Sequence, residues 1–260
     1  LTLAISGAGC AASALEAPCI DAPYGWQYQD DARSIVINRV SEPNLTYFVA
    51  DVQLSQTGDF QTLVSDTLAP VSELASQAGA ILAVNGDDCG THKFGIIIRN
   101  GELLRTHGTT RNLLILDQAG NMTVKTDRKG EDSKALGKQL LNEGVWQTFE
   151  FGPELVRDGA AVAFSPTFDV ISTRDTRLEP RTAIGQIGPL HYLLIVVDGR
   201  QPGYSSGISL QGLQQLFLRY GATTAMNLDG GGSAEMWFRG QILNNPSGGE
   251  ERSVTDILCF

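Results

Sequence analysis

The stretch Asn227–Leu228–Asp229–Gly230–Gly231–Gly232–Ser233 stands between two apolar runs, residues 224–226 before it and residues 234–238 after it. Each run is short and apolar enough to be a buried strand. Three consecutive glycines add no side chain to the core and lose the most backbone entropy on folding. Amide groups in such a turn can form an anion-binding nest, here flanked by a carboxylate, an amide and a hydroxyl. Taken alone, the stretch is equally compatible with a β-hairpin whose Asp-Gly supplies positive φ angles.

The composition indicates an acidic folded domain. The 260 residues are 42% hydrophobic and carry a net charge of -10, which supports one large core or at most two. An acidic surface lacks the basic face that a phosphate backbone requires, so no nucleic-acid partner is expected. No apolar run approaches the ~20 residues of a transmembrane helix. The small, apolar opening residues lack the basic flank of a signal peptide and are interpreted as mature chain.

The four cysteines are Cys10, Cys19, Cys89 and Cys259, and no two of them form a Cys-x-x-Cys pair. A thiolate metal site is therefore not expected. Of the three possible pairings, Cys10 with Cys19 and Cys89 with Cys259 is one, and four reduced, buried thiols are the alternative. We expect at least one disulfide, in a protein that is secreted or associated with the cell envelope.

Hydrophobic patterning predicts an α+β fold of mixed, largely antiparallel β-sheets with a few flanking helices, in a single domain. Residues 1–33 are predicted to be an irregular N-terminal arm, residues 34–260 the domain, and residues 169–180 a mobile surface loop. The helices are predicted over residues 66–78, 132–142 and 210–220. The main strands are predicted over residues 34–40, 45–54, 80–84, 94–99, 102–104, 112–117, 122–126, 144–151, 154–156, 181–187, 192–197, 223–228, 234–238, 241–243 and 254–260.

Four strands end in the same way, with charged or amide side chains that are in most cases next to glycine. They lead into residues 85–88, 181–183, 198–200 and 227–233. Each could be a turn or a surface ion pair, because turns favour the same residue types. Functional sites are, however, commonly built from polar side chains at the ends of rigid strands. We therefore expect these ends to meet around one pocket, with residues 244–249 and Arg252 as a wall.

A second motif, Gly203–Tyr204–Ser205–Ser206–Gly207, matches the nucleophile elbow of serine hydrolases. That elbow stands directly between a strand and a helix, and a histidine follows the serine later in the chain. Here the preceding strand ends near Val197, and all three histidines precede Ser205. The pattern therefore does not predict a serine hydrolase.

Taken together, NLDGGGS at 227–233, DGR at 198–200 and VNGDDCG at 84–90 make the chain resemble the phosphodiester glycosidase family over roughly residues 34–260. The resemblance implies a mixed α+β fold and hydrolysis of a sugar-1-phosphodiester, so the expected partner is a carbohydrate phosphodiester. One departure is that Asp88–Cys89 stands where relatives carry aromatic residues.

The resemblance also assigns roles. Arg181 and Arg200, with the amides of Gly230–Gly232, would hold the phosphate, because a guanidinium binds phosphate oxygens bidentately. Asp229 or Asp198 would stabilise the sugar cation or activate water. These four side chains are the predicted catalytic residues. The predicted substrate-binding residues are Asn85, Asp87, Asn227, Gly230, Gly231, Gly232, Ser233 and Asn245.

No cofactor is required by this scheme. A divalent cation, Ca²⁺ or Mg²⁺, held by Asp87 and Asp88 with Asp198 or Asp229 is an alternative. A glycan-binding or cell-envelope module that has the fold but no turnover is the alternative function. The oligomeric state is left open.

Overall fold

The computed structural model describes residues 25–91, 93–164 and 176–260. In these ranges the fold is α+β, as predicted, with antiparallel sheets and three flanking helices. The helices are α1 (Val71–Ala78), α2 (Ser133–Asn142) and α3 (Leu210–Arg219). The strands are β1 (Gly25–Gln29), β2 (Arg33–Glu42), β3 (Leu45–Leu54), β4 (Gln61–Ala69), β5 (Leu82–Asn85), β6 (Gly95–Arg99), β7 (Glu102–His107), β8 (Asn112–Leu116), β9 (Met122–Lys125), β10 (Gln147–Phe151), β11 (Glu154–Arg157), β12 (Ala160–Ala161), β13 (Arg181–Gly188), β14 (His191–Val197), β15 (Thr224–Asn227), β16 (Met236–Phe238), β17 (Gln241–Ile242) and β18 (Val254–Cys259).

The strands form one large sheet and three smaller ones. The large sheet has the order β1-β2-β3-β14-β13-β15-β11-β12, and a five-stranded sheet has the order β17-β16-β5-β18-β4. A three-stranded sheet, β10-β8-β9, and the hairpin β6-β7 complete the set. The large sheet brings β13, β14 and β15 side by side, which places three of the four predicted polar strand ends on neighbouring strands.

The centre of the large sheet is buried on both faces. Successive side chains of a strand point to opposite faces, and β14 shows this alternation fully. Tyr192, Leu194 and Val196 pack with β5 and β18 of the five-stranded sheet, whereas the next residues along β14 pack under α3. A strand that is apolar throughout is therefore sandwiched between a second sheet and a helix.

Helix α3 is stabilised by the signals that the sequence shows. The Ser209 hydroxyl accepts a hydrogen bond from the Gly212 amide at 3.0 Å and caps the helix, while Leu213 and Phe217 are buried against the large sheet. No helix in the described residues is long and apolar enough to cross a membrane.

Two local predictions differ from the structure. Residues 66–69 were expected to begin a helix, but they end strand β4, whose Ala69 pairs with Val254 of β18. The helical spacing of Leu68 is coincidental, because its side chain is 62% exposed; Pro70 caps α1 instead. In addition, β1 forms a regular edge strand where an irregular arm was expected. The domain boundary at residue 33 stays a prediction.

The Cys89–Cys259 disulfide, one of the pairings left open, is not formed, since both residues are buried free thiols. Cys259 packs on the α1 side of β18. The Cys89 amide, in contrast, donates to the carboxylate of Asp256. Asp256 lies three positions before Cys259 on β18, so the two side chains are on opposite faces of that strand. Cys10 and Cys19 lie outside the described residues, as does most of the loop predicted over residues 169–180.

Candidate active site

The side chain of Asn85 joins three of the four predicted strand ends. Its oxygen accepts hydrogen bonds from the Thr182 hydroxyl at 2.6 Å and from the Glu235 amide at 3.2 Å. Its amide donates to the carbonyl of Asp229 at 2.7 Å. The ends at residues 85–88, 181–183 and 227–233 therefore meet. Because Asn85 is only 1% exposed, it positions the glycine stretch rather than reaching a ligand's hydroxyl groups.

Asp229 is half-buried at this junction. Burial is the largest cause that raises its pKa, to about 6, and the nearby Asp88 carboxylate adds to the rise. The Ser233 hydroxyl, the Gly230 amide and the charge of Arg252 oppose it. Asp229 is thus a carboxylate that is ionised at neutral pH yet close to its titration point, which suits a group that handles protons or positive charge.

The glycine run lets the backbone pass close to its neighbours. A Cβ at Gly230 would lie 2.8 Å from the carbonyl oxygen of Pro180, and the Gly231 amide donates to that carbonyl at 2.9 Å. The Gly230 amide interacts with Asp229. Among the hydrogen bonds of the described residues, neither the Gly230 nor the Gly232 amide donates to a main-chain carbonyl. The Pro180 carbonyl therefore engages one amide of the predicted nest of three, that of Gly231.

Two arginines border the glycine run. The Arg200 guanidinium lies 3.1 Å from where a Cβ of Gly231 would be, and its Nε donates to Glu179 at 2.6 Å. Arg252 Cδ lies 3.2 Å from the corresponding position of Gly232. Both side chains are accessible to solvent. Arg200 therefore borders the glycine run that Asp229 precedes.

Arg111 is a third cation at this site, and the sequence does not predict it. Its guanidinium packs against two aromatic rings, 4.9 Å from the centroid of Phe94 and 5.2 Å from that of Phe151. Burial lowers its pKa, and the nearby carboxylates, Asp88 and Asp229 among them, oppose that effect. Its position before β8 carries no local signal, because only the folded chain brings the two rings around it.

Asp198, predicted to be catalytic, is enclosed instead. It is 1% exposed. Its carboxylate accepts hydrogen bonds from the Asn244 side chain at 3.0 Å, from the Asn245 amide at 3.0 and 3.1 Å, and from the Tyr204 hydroxyl at 2.8 Å. Burial raises its pKa. Asp198 therefore holds two loops together and has no accessible oxygen for a substrate.

Arg181 also differs from its predicted role. Strand alternation turns Thr182 toward Asn85 and Arg181 toward the α3 side of the sheet. There, its guanidinium donates to the carbonyls of Ile208 and Arg177, each at 3.3 Å. These guanidinium contacts are on the α3 side, whereas the Arg181 backbone borders the glycine run, with its Cα 3.3 Å from where a Cβ of Gly230 would be.

Asp87 is part of a buried ion pair. Arg99 donates to it at 2.7 Å and the Glu150 amide at 2.6 Å. Asp87, Cys89 and Asp256 offer ligand atoms within 4.8 Å of one another. The Arg99 guanidinium, which also lies 3.4 Å from Asp256, already supplies the positive charge there. Asp87 is therefore engaged by Arg99, and the carboxylates that remain for the predicted cation site are those of Asp88 and Asp229.

The remaining predicted residues support loops. The buried Asn227 donates to the Gly152 carbonyl at 2.9 Å, while Asn245 is exposed and its side chain contacts Gln201. Ser205 is 0% exposed and donates to the Asp198 carbonyl at 2.6 Å. The Gly-x-Ser-x-Gly motif therefore holds a structural serine, which agrees with the sequence-based exclusion of a serine hydrolase.

Comparison with known proteins identifies relatives of this chain. Residues 78–260 match the family described as phosphodiester glycosidase. The chain is 30% identical over 197 residues to the SPbeta prophage-derived uncharacterized protein YomE of Bacillus subtilis (73% of this chain, 29% of that protein). It is 25% identical over 230 residues to N-acetylglucosamine-1-phosphodiester alpha-N-acetylglucosaminidase of Bos taurus (81% of this chain, 40% of that protein). The chain thus spans less than half the length of these two relatives.

Solved structures show the same fold. The zebrafish catalytic domain of N-acetylglucosamine-1-phosphodiester alpha-N-acetylglucosaminidase, auto-inhibited by its pro-peptide, superposes with a TM-score of 0.66 at 18% identity, over 92% of this chain and 84% of that one. A hypothetical protein from Synechocystis gives 0.67 at 15%, over 92% and 64%. A Burkholderia pseudomallei protein described as exported gives 0.55 at 16%, over 83% and 74%.

Proposed function

The chain belongs to the phosphodiester glycosidase family, and from that premise we propose that the site around Asp229 hydrolyses the glycosidic bond of a sugar-1-phosphodiester. The products are the free sugar and a phosphomonoester. The observation that carries the proposal is a half-buried aspartate, with a pKa raised to about 6, beside a glycine run that two accessible arginines border.

The leaving group explains why arginines suffice where other glycosidases use an acid. Cleavage between the anomeric carbon and the phosphate oxygen passes through a transition state that is positive at the sugar. A phosphate monoester leaves as an anion, since its second pKa is about 6. Arg200 and Arg252 on the glycine run, with the Gly232 amide, are placed to stabilise that developing charge.

Asp229 has the complementary role at the sugar. Its ionised carboxylate stabilises the positive anomeric carbon or takes a proton from the attacking water. Asp88 is the second half-buried carboxylate near it. The two could also hold a divalent cation, because oxygen ligands of this kind suit Ca²⁺ and Mg²⁺; the hydrolysis proposed here is expected to survive chelation.

The substrate class follows from the named relatives. We propose an N-acetylglucosamine-1-phosphodiester-like compound as the carbohydrate partner, by analogy with the bovine protein. An exported location, secreted or at the cell envelope, is proposed by analogy with the Burkholderia protein.

The test is release of free sugar from N-acetylglucosamine-1-phosphate methyl diester, with and without a chelator. We expect hydrolysis of the diester and little hydrolysis of the uncharged methyl glycoside. Asp229→Asn should lower the rate by about a thousandfold or more. Asp158→Asn is the matched control, because Asp158 is exposed in a turn at φ 50, a conformation that asparagine tolerates.

A wild-type rate in the Asp229 variant would remove this residue from the mechanism. Binding of the diester without turnover would instead identify the chain as a glycan-binding module with the same fold.

A further inference from the structure

A cavity of about 520 Å³ lies beside the loop that follows β14. Four segments far apart in the sequence line it: Trp26 from β1, Arg39 from β2, Tyr204, and residues 243–245 after β17. None of the lining residues belongs to the glycine run. Its volume falls within the ~300–1000 Å³ typical of small-molecule pockets.

Arg39 gives this cavity a positive charge. Within the described ranges, no carboxylate oxygen lies within 4.0 Å of its guanidinium. Burial and Asp198 raise the pKa of Tyr204, and Arg39 opposes them, which places the guanidinium near the Tyr204 hydroxyl. The Arg39 charge also acts on the buried Asp198 carboxylate, but without ion-pair contact, so the exposed guanidinium is free to bind a carboxylate or phosphate of a ligand.

The other walls are aromatic and amide. Trp26 is half-buried and packs beside Phe48, with ring centroids 6.2 Å apart. Asn244 is held by Asp198, Ala234 and Met236, so its position is fixed. An indole wall beside hydroxyl, amide and guanidinium groups matches the flat apolar face and the hydroxyl rim of a sugar ring.

We propose that this cavity is a carbohydrate subsite for a sugar unit that bears a negative charge, with Arg39 on the anionic group and Trp26 against the ring. Two sources fit this chemistry, a uronic acid and a phosphorylated sugar. Only the position assigned to this sugar unit, beyond the bond that is cleaved, rests on the proposed function. Binding itself does not depend on turnover.

The cavity is joined to the DGR loop through Asp198. Tyr204 and Asn245 line the cavity and also donate to the Asp198 carboxylate. Arg200 stands two residues further along the chain. The cavity wall and Arg200 therefore share the loop that Asp198 anchors.

The experiment measures binding to the 260-residue chain by isothermal titration calorimetry, with probes that contain no glycosidic phosphodiester bond, so that hydrolysis does not interfere. The probes are glucuronic acid, glucose 6-phosphate, neutral glucose and inorganic phosphate. We expect saturable binding of at least one anionic sugar, weaker binding of glucose, and a tenfold to hundredfold loss for the anionic sugar on adding Arg39→Gln. Which anionic sugar binds more tightly identifies the source.

Two further variants separate binding from folding. Arg219→Gln removes the same charge from α3, where Arg219 forms an exposed ion pair with Glu42 of β2. This variant should leave affinity unchanged. Trp26→Leu should weaken both charged and neutral sugars while far-ultraviolet circular dichroism stays native. Absence of saturable sugar binding, equal affinity in the Arg39 variant, or inorganic phosphate binding as tightly as its sugar ester would each overturn the proposal. The hydrolysis of the diester would stand in any of these cases.

Discussion

Asp198 and Asp229 have the same local sequence signature but very different surroundings. Each follows a buried strand and precedes a glycine. Asp198 is enclosed by hydrogen bonds from three residues. Asp229 is half open, has a pKa raised to about 6, and lies near Arg252. The difference teaches that a strand-end Asp-Gly predicts a place in the fold, whereas the partners of the carboxylate decide whether it can do chemistry.

The largest expected effect is on rate. Asp229→Asn should lower kcat for the sugar diester about a thousandfold or more, because a charge that faces the reacting atoms is lost. Asp198→Asn should cost less than about tenfold, since that carboxylate holds loops and touches no substrate. Steady-state kinetics of both variants measure the contrast. Equal losses in two folded variants would break the comparison.

The order should reverse for stability. Asp198→Asn replaces an acceptor by an amide that faces other donors, and we expect the free energy of unfolding to fall by about 1–3 kcal/mol. Asp229→Asn should lower it less, because the Asp229 side chain is half-buried whereas that of Asp198 accepts hydrogen bonds from three enclosing residues. Urea denaturation at pH 7 gives both values. A larger loss at Asp229 than at Asp198 would contradict this assignment.

Glu235 extends the comparison to an enclosed acid that has another acid, Glu251, as its neighbour. It is 1% exposed, and burial together with Glu251 raises its pKa from 4.5 to about 9. Between these values the folded state holds a proton that the unfolded state has lost, so stability falls as the pH rises. Glu235→Gln should match the wild type at pH 5 and exceed it by about 1–3 kcal/mol at pH 8. Urea titrations at the two pH values test this, and parallel curves would contradict it.

The smallest expected effect is the influence of the Arg252 charge on the pKa of Asp229. If its ionised form is active, kcat/KM should fall as the pH drops through about 6. Arg252→Gln removes a charge that lowers this pKa, so the acid limb should move upward by less than about one pH unit. Arg239→Gln, whose guanidinium lies over Tyr28, is the control. An unmoved limb in the Arg252 variant would place Arg252 outside the field of Asp229.

Local signals predicted much of the fold. Strand β3 has the predicted bounds. Asn100 and Gly101 take the positive φ angles of the predicted hairpin turn, and Ser209 caps α3. These features depend on a few adjacent residues, and so a single sequence contains them.

The site was predicted as a place but not in its detail. The sequence predicted that Asn85 and Asp229 lie close together. It could not show that Arg99 forms an ion pair with Asp87 or that the Arg181 side chain lies on the α3 side of the sheet. Arg111 was missed because Phe94 and Phe151 come from different strands' ends and surround it only in the folded chain. Partners and strand phase are tertiary properties, which local patterning does not determine.

The position of β18 has a consequence for how the protein is made. β18 lies between β5 and β4, and its Cys259 pairs with Gln61 and Ala83. While a ribosome produces the chain, two strands of that sheet must therefore wait, with open edges, for a segment that emerges far later. Pairing over such long separations is slow and leaves the nascent chain exposed to aggregation. We expect this half to mature late in biosynthesis and to benefit from chaperones that shield unpaired strands.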